Sequence, residues 1–173
     1  MHEEEKIMKQ ETQVPESGRP LEAWYALWNA GLMQKNAARQ FFRNKGATET
    51  QFKVLLRLKY AGRPVMPKEL SEQLMVDKSD LTGLADRMES AGLLRRVRST
   101  TDRRCFLLEL TPKSETILEE IEQPYFELIR QVMSVFSPEE LEKIIILMAE
   151  LHKSLDCRCG WSAPDFPLRK KKG

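Results

Sequence analysis

Cysteine is scarce in this chain. Three residues in 173 make an odd number that builds no paired disulfide framework, in keeping with a reducing compartment. There are only two histidines: His2 sits in a charged opening stretch, and His152 has no evident partner in the sequence. Neither a glycine-rich phosphate loop nor a nucleophile elbow is present, so catalysis finds no support and no cofactor is expected. Long apolar runs are missing too. The longest, 144–149, has six residues, far short of the roughly 20 that a membrane helix needs, so no membrane partner is expected. The opening MHEEEKIMKQE is acidic and polar, unlike a secretory signal, and a cytoplasmic location is the expectation. The net charge is only +2, so a nucleic-acid site has to come from where charge is placed rather than from bulk basicity.

What the chain does have is charge of both signs, 31% of residues, beside 41% hydrophobic residues. That balance suits long helices with solvated faces in one domain or two closely joined lobes. Residues 1–20 carry charges with Pro15, Gly18 and Pro20, which predicts a flexible arm. From Leu21 the pattern turns helical: Leu21, Trp24, Leu27, Trp28 and Leu32 keep one face, Phe41 and Phe42 close it, and Gly46 is expected to end the helix. Two tryptophans so early are a large apolar payload, for packing within the chain or for a subunit interface.

Thr48 and Gln51 have capping-box spacing at the start of a second helix, whose apolar face holds Phe52, Leu55, Leu56 and Leu58. It should stop at Ala61-Gly62. Pro67 suits the first turn of a short third helix, with Leu70 and Leu74 inward, and a fourth helix should begin near Asp77. A short helix, a tight turn and a second helix with a polar outer face form a helix-turn-helix. In that fourth helix Leu81, Leu84, Ala85 and Met88 make the apolar stripe. Lys78, Ser79, Thr82, Asp86 and Arg87 occupy the other face, within reach of base edges or phosphates. Gly92 stands where a left-handed residue ends a helix.

After Leu94 the period drops to two. Phe106, Leu108 and Leu110 alternate with Cys105, Leu107 and Glu109, a half-buried strand whose partner is 95–98. The hairpin is a wing. From Leu93 to Arg104 the chain carries Arg95, Arg96, Arg98, Arg103 and Arg104 against the single acid Asp102, a local charge of +4. A basic tongue next to a polar helix face fits nucleic-acid binding. Thr111-Pro112 then opens a long helix with Pro124 inside it, expected as a kink. Ser137-Pro138-Glu139-Glu140 combines a cap, a first-turn proline and a capping-box glutamate, and Leu141, Ile144, Ile145, Met148, Leu151 and Leu155 run along the last helix. The remainder, 156–173, reads as an extended tail.

Glu69-Leu70, Asp86-Arg87-Met88-Glu89 with Gly92-Leu93-Leu94 and Arg96, and Asp102-Arg103-Arg104 leading to Leu110-Thr111 together resemble the MarR-type winged helix-turn-helix regulators over 21–155. The resemblance implies a mainly α fold with a small β-hairpin: a DNA-binding lobe at 48–110 and dimerisation helices at 21–46 and 111–155. It implies a homodimer on pseudo-palindromic double-stranded DNA, most often a repressor, controlled by a small aromatic or phenolic ligand or by cysteine oxidation. Arg104 matches the wing arginine and Asp102 the aspartate that holds it. Arg98 matches a further wing position that often meets the backbone, and Ser79 and Thr82 match recognition-helix positions. With Lys78, Arg87, Arg96 and Arg103 these make up the expected DNA contacts. Gly83 departs from the family, which often has arginine there, and Ser99-Thr100-Thr101 lacks the common Asp-Pro at the wing tip.

Trp28, Phe52, Leu56, Tyr60 and Tyr125 could line a ligand pocket or simply be core. Cys157 and Cys159, five residues after His152, offer thiolates for a metal or a strained disulfide switch, one ligand short of a closed zinc site; two thiols on a mobile tail is the plainer reading. Cys105 reads as a small packing residue. The rival functions are a redox- or metal-responsive regulator of the same fold and a helical protein-binding adaptor that has lost DNA binding, which Gly83 alone supports.

Overall fold

Three helix starts are fixed by side chains that reach back to the backbone. The computed structural model describes residues 18–99 and 105–159, the last three by backbone alone. Its elements are α1 (Arg19–Phe41), α2 (Glu49–Ala61), α3 (Pro67–Leu74), α4 (Lys78–Ser90), β1 (Leu94–Arg98), β2 (Phe106–Leu110), α5 (Pro112–Met133) and α6 (Pro138–Cys159). At α2 the Thr48 N–H donates to Gln51 Oε1 (2.8 Å) and the Gln51 N–H to Thr48 Oγ1 (3.3 Å). At α6 the Ser137 N–H donates to Glu140 Oε2 (2.8 Å) and the Glu140 N–H to Ser137 Oγ (3.3 Å). Both boxes are as the spacing predicts. Thr111 and Ser114 form a third at α5, ahead of Pro112 in its first turn.

The chain divides between Phe41 and Phe42 into two units. The first holds α1, which presents Trp24, Tyr25, Trp28 and Leu32 as an exposed apolar stripe. α1 ends at Phe41, five residues short of the expected Gly46. Asn44 (φ 66°) already takes the left-handed conformation, so the chain leaves the helix before the glycine (φ 75°) is reached.

The second unit is a helix-turn-helix with a wing. Phe52, Leu55 and Leu58 of α2, Leu70 of α3, Leu81, Ala85 and Met88 of α4, and Leu108 of β2 are buried together with Leu118 and Ile121 of α5. α3 and α4 meet through Met75, a non-glycine residue in the left-handed region (φ 54°) at the turn. Gly92 (φ 71°) ends α4, with the Leu93 N–H donating to Met88 O (2.8 Å). β1 and β2 are antiparallel, Leu94 opposite Leu110 and Arg98 opposite Phe106. Val65 adds one residue of a third strand: its N–H donates to Leu108 O (2.9 Å) and its carbonyl accepts from the Leu108 N–H (2.8 Å). Leu84, expected in the buried stripe, is only half-buried. α5 runs unbroken through Pro124. Beyond Ile121 its outer residues Ile129 and Val132 are exposed, as are Ile145, Ile146 and Leu147 of α6. No described helix is long and apolar enough to cross a membrane.

Candidate nucleic-acid interface

The polar face of α4 lies in solvent as its spacing predicts: Lys78, Ser79, Thr82, Asp86 and Arg87 are all exposed. Thr82 Oγ1 donates to the Lys78 carbonyl (2.7 Å), so the hydroxyl is turned toward its own helix and can accept from a partner outside. Ser79 and Arg87 share a groove of about 620 Å³ with Thr48, Thr50 and Gln51 at the head of α2. Gly83 lies on its floor. A β-carbon there would come within 3.4 Å of Arg87 Nη1, so the guanidinium folds back over the glycine.

The wing arginines divide into two groups. Arg95 is paired across the hairpin with Glu109. Arg96 is turned inward: one terminal nitrogen pairs with Asp86, the other with Glu89 Oε2 (2.7 Å), and its guanidinium carbon lies 4.8 Å from the centre of the Phe106 ring. Its backbone N–H donates to Glu89 Oε1 (3.3 Å), while its Nε is buried with no hydrogen-bond acceptor among the described residues. The hydrogen bond to Asp86 outweighs burial and, with the charge of Glu89, raises the Arg96 pKa, so the guanidinium stays charged. Arg98, at the outer end of β1, is exposed. Asp102, Arg103 and Arg104 lie outside the described residues. The +4 of residues 93–104 overstates the field of the wing, because folding brings Asp86, Glu89 and Glu109 against two of its arginines.

Four of the five pocket candidates belong to the second unit. Phe52 and Tyr125 are packed ring on ring with Phe42, centroids 4.9–5.5 Å apart. Burial, then the charge of Glu49, raises the Tyr125 pKa. Leu56 is half-buried, and Trp28 is exposed on α1 in the other unit. Tyr60 is exposed at the end of α2, with its hydroxyl donating to Glu122 Oε1 (2.5 Å). Glu122, which sequence reading passed over, is a buried carboxylate on α5 that also pairs with Lys59. Its only trace in the sequence is an acid beside Ile121 in an apolar stripe. Burial first, then the hydrogen bond and charge of Glu122, push the Tyr60 phenol up to about 12. A second cleft, about 500 Å³, lies between Leu58 and Arg63 of the α2 end, Arg95 and Glu109 of the wing base, and Leu118 of α5.

His152 is exposed on α6. Cys157 and Cys159 fall in the last turn of that helix, and their side chains lie outside the described residues. Among the described residues no group of three His, Cys, Asp or Glu side chains could hold a metal. Cys105 is half-buried at the foot of β2, its carbonyl accepting from the Ser99 N–H (3.1 Å).

The chain is similar to known proteins in sequence and in fold. The profile described as MarR family matches residues 47–106, from the head of α2 to the start of β2. The repressor YetL of Bacillus subtilis is 29% identical over 136 residues, 78% of this chain and 81% of its own length. The multiple antibiotic resistance protein MarR of Salmonella typhimurium is 32% identical over 105 residues, 60% of this chain and 72% of its own. Among solved structures, a mutant MarR from E. coli complexed with operator DNA superposes with a TM-score of 0.67 at 25% identity, covering 76% of this chain and 93% of that one. With its helix-turn-helix, its wing and these relatives in agreement, the chain belongs to the MarR family of transcriptional regulators.

Proposed function

We propose that this chain is a homodimeric, sequence-specific DNA-binding regulator, a repressor released by a small aromatic or phenolic ligand. The observation that carries the reading is the exposed row Lys78, Ser79, Thr82 and Arg87 on α4, set beside a strand that ends in the exposed Arg98. α4 would enter the major groove, where side chains of this length meet base edges and phosphates. The wing, with Arg98 and the sequence-assigned Asp102, Arg103 and Arg104, would follow the adjacent backbone or minor groove. The operator complex of the E. coli relative and the repressor name of YetL support the same reading. The exposed stripes of α1 and α6 support a second copy of the chain as partner. Two-fold symmetry would then place the α4 helices about 34 Å apart, on half-sites about 10 bp apart. Footprinting of the purified protein on bound genomic fragments tests this. Two protected half-sites in inverted repeat are expected, and a single unrepeated site or no bound fragment would overturn it.

A further inference from the structure

Arg96 looks at first like one more phosphate-binding arginine of the wing. Its surroundings say otherwise. Each terminal nitrogen has a carboxylate, Asp86 on one side and Glu89 on the other, and the planar group lies against Phe106. Its own backbone N–H is tied to Glu89 as well. The side chain thus spans three elements: it starts on β1, forks onto two α4 positions about a turn apart, Asp86 and Glu89, and stacks on β2. An arginine held this way has no terminal nitrogen left to turn outward without breaking an ion pair. A planar fork is also the group that a lysine cannot imitate.

We propose that Arg96 is a positioning residue that bolts the wing to the recognition helix and does not itself contact DNA. The bolt fixes the angle between α4 and the hairpin, so that the polar face of α4 and the outer arginines meet one duplex together. It also cancels two carboxylates that would otherwise face the phosphates from α4. This rests on the DNA-binding reading above, and two measurements keep the two ideas apart.

The first needs no DNA. In the intact free protein, hydrogen exchange is compared for the parent and Arg96→Lys. The bolt predicts faster exchange confined to β1 and β2, with the buried amides of α2 unchanged. Unchanged wing exchange would overturn the proposal whether or not the protein binds DNA. The second is operator affinity for Arg96→Lys, Arg96→Ala and Glu89→Gln. A phosphate contact is largely kept by lysine, whereas a fork is not. Both Arg96 variants should therefore weaken binding alike, by about tenfold or more, the scale of a lost charge-assisted hydrogen bond. Removing a negative charge with Glu89→Gln should tighten binding on electrostatics alone, but the bolt predicts weaker binding. Near-parent affinity for Arg96→Lys, or tighter binding by Glu89→Gln, would overturn the proposal. If the parent itself binds no operator, the functional reading fails while the exchange result still decides the bolt.

Discussion

Gly83 shows how one residue can be read two ways. Within a helix, glycine costs roughly 1 kcal/mol relative to alanine. Here the space it leaves is used by Arg87, whose Nη1 would lie 3.4 Å from an added β-carbon. Because that atom ends a flexible side chain, it can give way. Gly83→Ala should therefore raise the melting temperature by about 2–4 °C, the shift that 1 kcal/mol brings in a domain of this size, and weaken operator binding as Arg87 is displaced. A melt and a shift assay on the same preparation check both parts; a lower melting temperature would mean the groove is too tight for a methyl group. Tyr60 makes a different prediction. Its phenol is held neutral against Glu122, with a folded pKa of about 12 against an ordinary 10.0. The contribution is complete below pH 10, where folded and unfolded chains both keep the proton. It is lost as pH rises through about 12, because the unfolded chain sheds the proton first. The stability difference between the parent and Tyr60→Phe should shrink over that window in urea unfolding, and a constant difference would refute the link to Glu122.

At the scale of elements, what the sequence made legible was what neighbouring residues decide. Thr48 with Gln51 and Ser137 with Glu140 could be read because a cap and its partner are three residues apart. Gly92 could be read because a left-handed cap is a local demand. The end of α1 and the turn at Met75 were harder: Asn44 and Met75 hold positive φ without being glycine, which asparagine accepts locally but methionine takes only where its surroundings impose it. Val65 was not legible at all, since its pairing with Leu108 joins residues 43 positions apart. The same holds for the site. The row on α4 was read from its period, whereas the internal pairing of Arg95 and Arg96 depends on acids brought in by the fold. The caps give a direct test. Thr48→Ala should cost about 1 kcal/mol by chemical denaturation, the usual worth of an N-cap side chain. No loss would mean that α2 is held by its buried face alone.

At the scale of the whole molecule, apolar side chains stand open on α1 and on α6, the kind of surface that a partner covers. Trp28 is 58% exposed and Leu147 57%, with Trp24, Ile145 and Ile146 near them in exposure. The pattern of α1 had left packing within the chain and a subunit interface as alternatives; this exposure favours the interface. Leu147→Glu puts a charge where a single chain would tolerate it, since surface changes usually stay within about 0.5 kcal/mol. In a dimer it would bury that charge. Sedimentation at micromolar concentration should find the parent as a dimer and Leu147→Glu shifted to monomer, and a monomeric parent would sink the interface.

The bond from the Arg96 backbone N–H to Glu89 bears on solubility as well as geometry. In a two-stranded sheet β1 is an edge, and an edge with unspent N–H groups invites a strand from another molecule. Glu89 caps that edge near its middle, and the exposed Arg98 puts a charge at its outer end. A variant chosen to strip charge from the wing would then also uncover an adhesive border, and its lost binding could be lost protein. Glu89→Gln keeps an oxygen to cap the N–H, whereas Glu89→Ala does not. Only the alanine variant should self-associate with rising concentration in light scattering.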